Sequence, residues 1–372
     1  MRSLNFNYLS RLDHLRFFAC LLVCFHHFRG QAINTLHIDT FDGLSLVKKS
    51  LQLWLIEGAS GVSLFLVLSA FLFTLIANGG TKKIIYHKFI YNRILRIFPL
   101  MVILVFIIIT LDRANSTPLD IFRIFTLQLN TGNPMTGWGH SIFPSGPIWT
   151  IAVEFQFYLL FPILMIFLSK YGYKYFGSLI LFVLTIRLGI ALLNDYNVYY
   201  NLYHSIIGRL DQFLIGIVLA FFYINGSFDK LSNSISLLIF FSSLSILTLF
   251  FILENKLHSP IVTSVLSFPI EAVCWGGVII SYLKMNIIFP FSNSLDKLFS
   301  YLGGLSFSIY LFHLPIGYVV NNLWDIGEPV TLTQSIIYTL IKIPFIILFS
   351  MLSYHSIEKP FMELRVKYFK SE

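Results

Sequence analysis

RLDHLRFFACLLVCFHHF, running from Arg11 to Phe28, is an apolar helical stretch bracketed by ionisable groups. Asp13 and Arg16 stand near its start, His26 and His27 at its end. Charge is costly in a bilayer, so ionisable groups kept in a spanning helix tend to line a working cavity. Arg16 and His27 are eleven residues apart, which puts them on one face about 16 Å apart along the axis. His26 points about 100° away from His27 and is expected to do a different job. One helix thus offers a cation near one membrane surface and a proton acceptor near the other, with Asp13 one turn before Arg16. Each residue also has an ordinary role: Arg16 can snorkel to headgroups and His27 can rest in the opposite interface.

The rest of the chain fits a membrane setting. Of its 372 residues, 56% are hydrophobic, 17% aromatic and only 12% charged, whereas soluble domains carry about 25% charged residues. Such a chain could not cover its surface in water, which excludes an ordinary soluble domain. The net charge of +8 does not point to nucleic acid, because the basic residues lie between apolar spans, where they set orientation. Cys20, Cys24 and Cys274 all sit in apolar stretches and read as packing rather than a disulfide framework. Cys20, Cys24 and His27 on one helix supply too few ligands for a metal, and none is expected. The first apolar stretch is interrupted by histidines and lacks a small-residue cleavage site, so it is expected to remain as a span.

Apolar windows of about 20 residues fall at 12–29, 56–77, 97–111, 148–168, 176–193, 203–224, 234–253, 260–283, 303–322 and 333–356. The expected fold is therefore an all-α integral membrane protein, a bundle of about ten transmembrane helices forming one domain over residues 1–372. With the N-terminus inside, sixteen of the 26 lysines and arginines fall in inner segments and six in outer ones. That bias places both termini in the cytoplasm. The longest outer connection runs from Asp112 to Pro147, and a loop of that length is more often a lid or binding element than a plain connector.

Three further segments carry candidate chemistry. Arg93 and Arg96 share a helix face where the third span begins, before Pro99. They could serve anionic lipid, but guanidinium forks there could also hold a phosphorylated donor through bidentate contacts. PSGPIWTIAVEFQFYLLFP, Pro144 to Pro162, places Glu154 inside apolar sequence just past Trp149, where a carboxylate must pair or protonate. It could satisfy a buried Arg or His, or orient His27. GGLSFSIYLFHLPI, Gly303 to Ile316, holds His313 in mid-span, and such a histidine is packing about as often as catalytic. Arg209, Asp211 and Glu358 are expected to be architectural.

Taken together, these segments resemble the acyltransferase-3 family of integral membrane acyltransferases. LDHLR with the Arg16–His27 spacing matches the family's first-span pattern, which selects His27 over His26. Gly61 to Leu72, GVSLFLVLSAFL, resembles its second-span motif; Arg93 and Arg96 fit its Arg-x-x-Arg element. IWTIAVEFQFYLLFP, SIYLFHLP and IEKPF match the remaining motifs in order, so the likeness runs from Arg11 to Phe361. His14 and Ala70 stand where the family usually has glycine, at positions that look like packing sites. The chain does not carry, within these residues, the SGNH-type hydrolase domain that some members append.

The resemblance implies a membrane O-acyltransferase of the polysaccharide-modifying type, in the inner (plasma) membrane of a bacterium. It implies acetyl-CoA or another acyl-CoA as donor substrate and no permanently bound cofactor. The acceptor would be a hydroxyl of O-antigen, capsule or exopolysaccharide, or of a lipid-linked precursor; membrane lipids are the other partners. Arg93 and Arg96 would hold the donor, Arg16 with Asp13 would guide the thioester, His27 would be general base and Glu154 its assistant. Ser69, Trp149, Tyr158, Tyr310 and His313 would support substrate or site. A proton-coupled transporter or flippase for a glycan lipid or small solute also fits intramembrane Arg, His and Glu, but the chain shows no inverted repeat or matched pair of broken helices. A passive scaffold would tolerate alanine at Arg16 and His27.

Overall fold

Apolar segments can satisfy their backbone groups away from water as helices or closed barrels, and the described residues of this chain are almost wholly helical. The computed structural model describes residues 8–31, 43–111, 113–114, 117–128, 146–193, 198–257, 259, 261–286 and 292–370. The helices in the first half are α1 (Ser10–His27), α2 (Gly43–Ile56), α3 (Ser60–Ile76), α4 (Tyr86–Leu111), α5 (Pro118–Phe125), α6 (Trp149–Leu192) and α7 (Val198–Tyr203). Those in the second half are α8 (Ile206–Ile224), α9 (Asn233–Leu257), α10 (Ser267–Lys284), α11 (Ser292–Gly304), α12 (Ser306–Leu323), α13 (Leu332–Ser353) and α14 (Lys359–Glu363). Local signals set several starts. Thr331 and Gln334 form a reciprocal capping box at the head of α13, and the Ser205 hydroxyl accepts from Gly208 N–H at the head of α8, each satisfying otherwise orphaned donors.

Seven helical stretches among the described residues are long and apolar enough to cross a membrane. Two shorter helices, Asn293–Gly304 and Ser306–Leu323, bent by 68° at Leu305, make an eighth if counted as one span. The ten apolar windows fall largely on helices without mapping one to one. Windows 148–168 and 176–193 share the 44-residue α6, where the expected connection is a break at Gly172 (φ 71, ψ −173), a backbone geometry that glycine adopts without steric penalty. The second window belongs to a longer stretch, Val47–Ile76, that absorbs α2. The first window is the 18-residue α1, which carries Arg11, Asp13 and Arg16. Most of the expected Asp112–Pro147 lid lies outside the described residues; its described parts include α5 and the turn Gly146–Ile148.

α3 is the central rod: it packs on α1, α8 and α10, and 15 of its 17 residues are buried. A Cβ on Gly216 of α8 would lie 2.5 Å from the Val67 carbonyl and 3.0 Å from the Ala70 Cβ. The small residue needed at this crossing is therefore supplied by α8, which accounts for alanine being accepted at position 70. His14 is also absorbed into packing. Its Nδ1 pairs with the Tyr282 hydroxyl at 2.9 Å and its Nε2 with the Asp296 carbonyl and Ser300 hydroxyl at 3.1 Å.

Candidate functional site

Between α1, α3, α4, α6 and α12 lies a cavity of about 260 Å³. Its upper wall includes Thr150, Glu154 and Tyr310; its middle, Asp13, Arg16, Ser69 and Tyr158; its floor, Arg93, Arg96, Arg365 and Tyr368. Eight of the residues expected from the sequence to act in the site, Tyr158 and Tyr310 among them, thus meet one space. His27, His313 and Trp149 do not line it.

The helix geometry explains the convergence. Arg16 Nη1 is 2.9 Å from Asp13 Oδ1, one turn back on α1, and both side chains are largely covered. Asp13 also accepts from the Tyr8 hydroxyl at 2.7 Å; burial and then the Asp13 charge hold that phenol well above its ordinary range. Arg93 lies over an aromatic floor, its guanidinium carbon 4.7 Å from the Phe73 ring centre, 5.4 Å from Phe89 and 5.7 Å from Tyr158, where ring quadrupoles favour a cation. Arg96, three residues on, is 3.5 Å from Oε2 of the buried Glu358 and 5.6 Å from the Phe307 ring centre. Glu358 is held in turn by the Ser308 hydroxyl, so this residue, expected to be architectural, tunes one of the two expected donor-holding arginines.

Glu154 takes a different partner from the one expected. Its Oε1 accepts from the Ser69 hydroxyl at 2.6 Å, and it lines the cavity beside Tyr158. The group standing against His27 is His313, with ring centres 4.9 Å apart. The hydrogen bonds fix the tautomers. His313 Nδ1 faces the Tyr310 carbonyl at 2.6 Å and His27 Nδ1 faces the Val23 carbonyl at 3.0 Å. A carbonyl can only accept, so each Nδ1 carries a proton when the ring is neutral. His313 Nε2 is then an acceptor 3.1 Å from His27 Nδ1. The lone pair of His27 is left on Nε2, on an exposed side chain. His26 is turned away, its Nδ1 2.6 Å from the Ile56 carbonyl.

Tyr310 joins the two regions. It lines the cavity, its ring centre is 5.8 Å from that of His313, and its hydroxyl donates to the Pro147 carbonyl at 3.0 Å. Trp149 belongs to another cluster, where its ring meets Tyr203 and His204 at 5.2 and 4.6 Å. There Arg209 lies 4.0 Å from the Tyr203 ring centre and 4.3 Å from that of Phe268. Beside it the Arg187–Asp211 pair, at 2.6 Å, is wholly buried.

Arg365 and Tyr368 were not singled out by the sequence, because the sequence motif ends at Phe361 and nothing local marks them. Burial and then the charges of Arg96 and Arg93 lower the Arg365 guanidinium below its ordinary range. Burial raises the Tyr368 phenol against the opposing pull of Arg93.

The acyltransferase-3 family profile, described as an acyltransferase domain, matches residues 9–355. O-acetyltransferase OatA of Staphylococcus aureus, from strains NCTC 8325 / PS 47, COL and MRSA252, is 25% identical over 386 residues, covering 98% of this chain and 58% of each relative. The chain thus spans little more than half the length of the curated relatives it matches. No solved structure matches the chain. With the ordered motifs gathered around one cavity and the profile covering nearly its whole length, this chain belongs to the acyltransferase-3 family.

Proposed function

We propose that this chain is a membrane O-acyltransferase that moves an acyl group, acetyl foremost, from cytoplasmic acyl-CoA to a hydroxyl of a cell-surface polysaccharide or its lipid-linked precursor. O-antigen, capsule and exopolysaccharide are the candidate acceptors. The setting is a single transmembrane domain over 1–372 in the inner (plasma) membrane of a bacterium, with about ten spans and both termini cytoplasmic. The observation that carries the reading is the placement on α1 of a cavity-lining Arg16 at one end and a His27 with a free Nε2 lone pair at the other.

In this scheme Arg93 and Arg96 hold the donor's phosphates through charge-assisted hydrogen bonds, and Arg16, braced by Asp13, steers the thioester upward. His27 Nε2 takes the proton of the acceptor hydroxyl as its oxygen forms a bond to the thioester carbonyl carbon. The carbon–sulfur bond then breaks, and the thiolate leaves with the proton returned by the imidazolium. His313 presents the correct His27 tautomer, a role expected above of Glu154. Glu154 with Ser69 and Tyr158 instead shapes the wall along which the thioester passes, and Tyr310 closes the space next to the histidine pair. Trp149 supports the site from the Arg209 cluster. General-base catalysis of this kind is worth about 10²–10⁴ in rate.

The test is purified protein supplied with labelled acetyl-CoA and glycan. Label in ester linkage with wild type, and a drop of at least about 10² with His27→Ala at unchanged folding, supports the scheme. A His27→Ala variant that acylates normally sinks it. Glycan or solute movement without any ester formed would favour a carrier.

A further inference from the structure

The cavity is long and narrow. Its α3 wall runs from Val62 through Ser69 to Ile76, a single helix face covering fourteen positions, or about 21 Å along the axis. At the lower end Arg93 and Arg96 are half-exposed. At the upper end Val62, Thr150, Ile151 and Tyr310 are all buried. The slot is blind at its top.

Its lower end is fixed by the chain beyond α14, where residues 364–370 are stitched to the start of α4. Ile85 N–H donates to the Tyr368 carbonyl at 2.7 Å and Lys370 N–H to the Lys83 carbonyl at 3.1 Å. The buried Asn92 amide holds both backbone groups of Val366, donating to its carbonyl at 2.7 Å and accepting from its N–H at 3.0 Å. Tyr368, brought to the floor in this way, packs its ring 5.3 Å from that of Phe89, which also lies under Arg93. The floor therefore has a set position relative to α3.

The chemistry of the slot changes with height. Above Glu154, which accepts from Ser69 at 2.6 Å, the wall is made by Val62, Phe65, Thr150, Ile151 and Tyr310. The two hydroxyls among these are engaged, since Thr150 and Tyr310 each donate to the Pro147 carbonyl at 3.0 Å. What is left there is apolar surface, which suits hydrocarbon and not a polar group. The half-buried Phe65 ring stands 6.1 Å from that of Tyr310 at an interplanar angle of 76°, an edge-to-face contact. His313 lies beyond Tyr310, ring centres 5.8 Å apart. One layer of aromatic rings thus separates the blind end from the histidine pair.

We propose that the slot measures the acyl chain, with Phe65 against Tyr310 as the stop. A donor gripped by its phosphates at the floor has a fixed reach, so its acyl group comes to lie in the blind apolar end. Resting on the donor reading above, this makes short-chain acyl-CoA the accepted class, and Phe65 the residue that turns longer chains away. A methylene that an apolar pocket cannot accommodate is worth about 10–200-fold in discrimination. Trimming the Phe65 ring makes room for more carbons, so the variant gains donors, which an unfolded protein cannot do.

Full-length protein in phosphatidylcholine nanodiscs is titrated with acetyl-CoA, butyryl-CoA and hexanoyl-CoA, and the affinity ratios are compared within each protein. Wild type binds acetyl-CoA at least about ten-fold more tightly than hexanoyl-CoA. Phe65→Ala narrows that ratio by about ten-fold or inverts it. Phe65→Leu, a smaller change that keeps an apolar side chain in place, admits butyryl-CoA ahead of hexanoyl-CoA and serves as the test if the alanine variant does not fold. If wild type binds all three thioesters alike, or if the Phe65 variants keep the wild-type ratios, the ruler falls and the donor reading stands. Folded Phe65 variants that bind none of the three also overturn it, because the ring then holds the donor instead of limiting its chain. Wild type that binds no acyl-CoA overturns both.

Discussion

Arg187 and Arg93 are both arginines inside an apolar bundle, yet they stand in opposite circumstances. Arg187 is wholly buried and matched, with Asp211 at 2.6 Å and the Gly208 carbonyl at 2.9 Å. Arg93 is only half-buried, rests on aromatic rings and opens onto a cavity. A charge in the first situation holds helices together, because removing either partner strands the other in a low-dielectric interior. A charge in the second costs the fold less and leaves its donors for something that enters. Membership of one bundle therefore says little about role; the balance of charge around each arginine separates them.

The comparison can be broken most sharply at Arg187. Arg187→Ala should lower stability by about 3–5 kcal/mol or prevent folding, and the joint change Arg187→Met with Asp211→Leu should restore most of the loss. Thermal unfolding of purified protein measures both. If Arg187→Ala melts like wild type, the buried pair is not what holds α6 to α8.

A finer division runs through the cavity itself. Arg96→Gln takes the partner from the buried Glu358 and should cost about 1–3 kcal/mol of stability as well as donor affinity. Arg93→Gln should weaken donor binding about ten-fold and leave the melting temperature within a few degrees. Equal melting temperatures for the two variants would remove the distinction. The smallest effect is that of salt. Between about 0.05 and 0.5 M ionic strength donor affinity should fall several-fold while the melting temperature of the unliganded protein barely moves, since screening reaches the open cavity and not the Arg187–Asp211 pair.

Much of this was readable in the sequence where a single helix carries the signal. Helical periodicity placed Asp13 and Arg16 together on α1 and Arg93 and Arg96 on α4, and hydropathy outlined the bundle. Readings failed where they needed a partner from a distant part of the chain. Glu154 faces Ser69, and His27 meets His313, a residue 286 positions away; no spacing rule reports which of several intramembrane polar groups will be neighbours. The α6 break was read as a loop because Lys170 and Lys174 flank Gly172, and charge alone does not tell a connection from a kinked helix. Ala70 was read as a departure, and only the facing Gly216 explains it. Arg365 escaped because the backbone beside it, at Val366, is held by hydrogen bonds with Asn92, 274 residues earlier.

The stitching of residues 364–370 to the head of α4 also has a meaning for how the protein comes into being. A ribosome delivers α1, α3 and α4 to the membrane long before it reaches Tyr368, so no growing chain carries the finished cavity floor. The floor of that chamber is therefore in place only once the chain has been made through Tyr368, and the first spans alone do not present it.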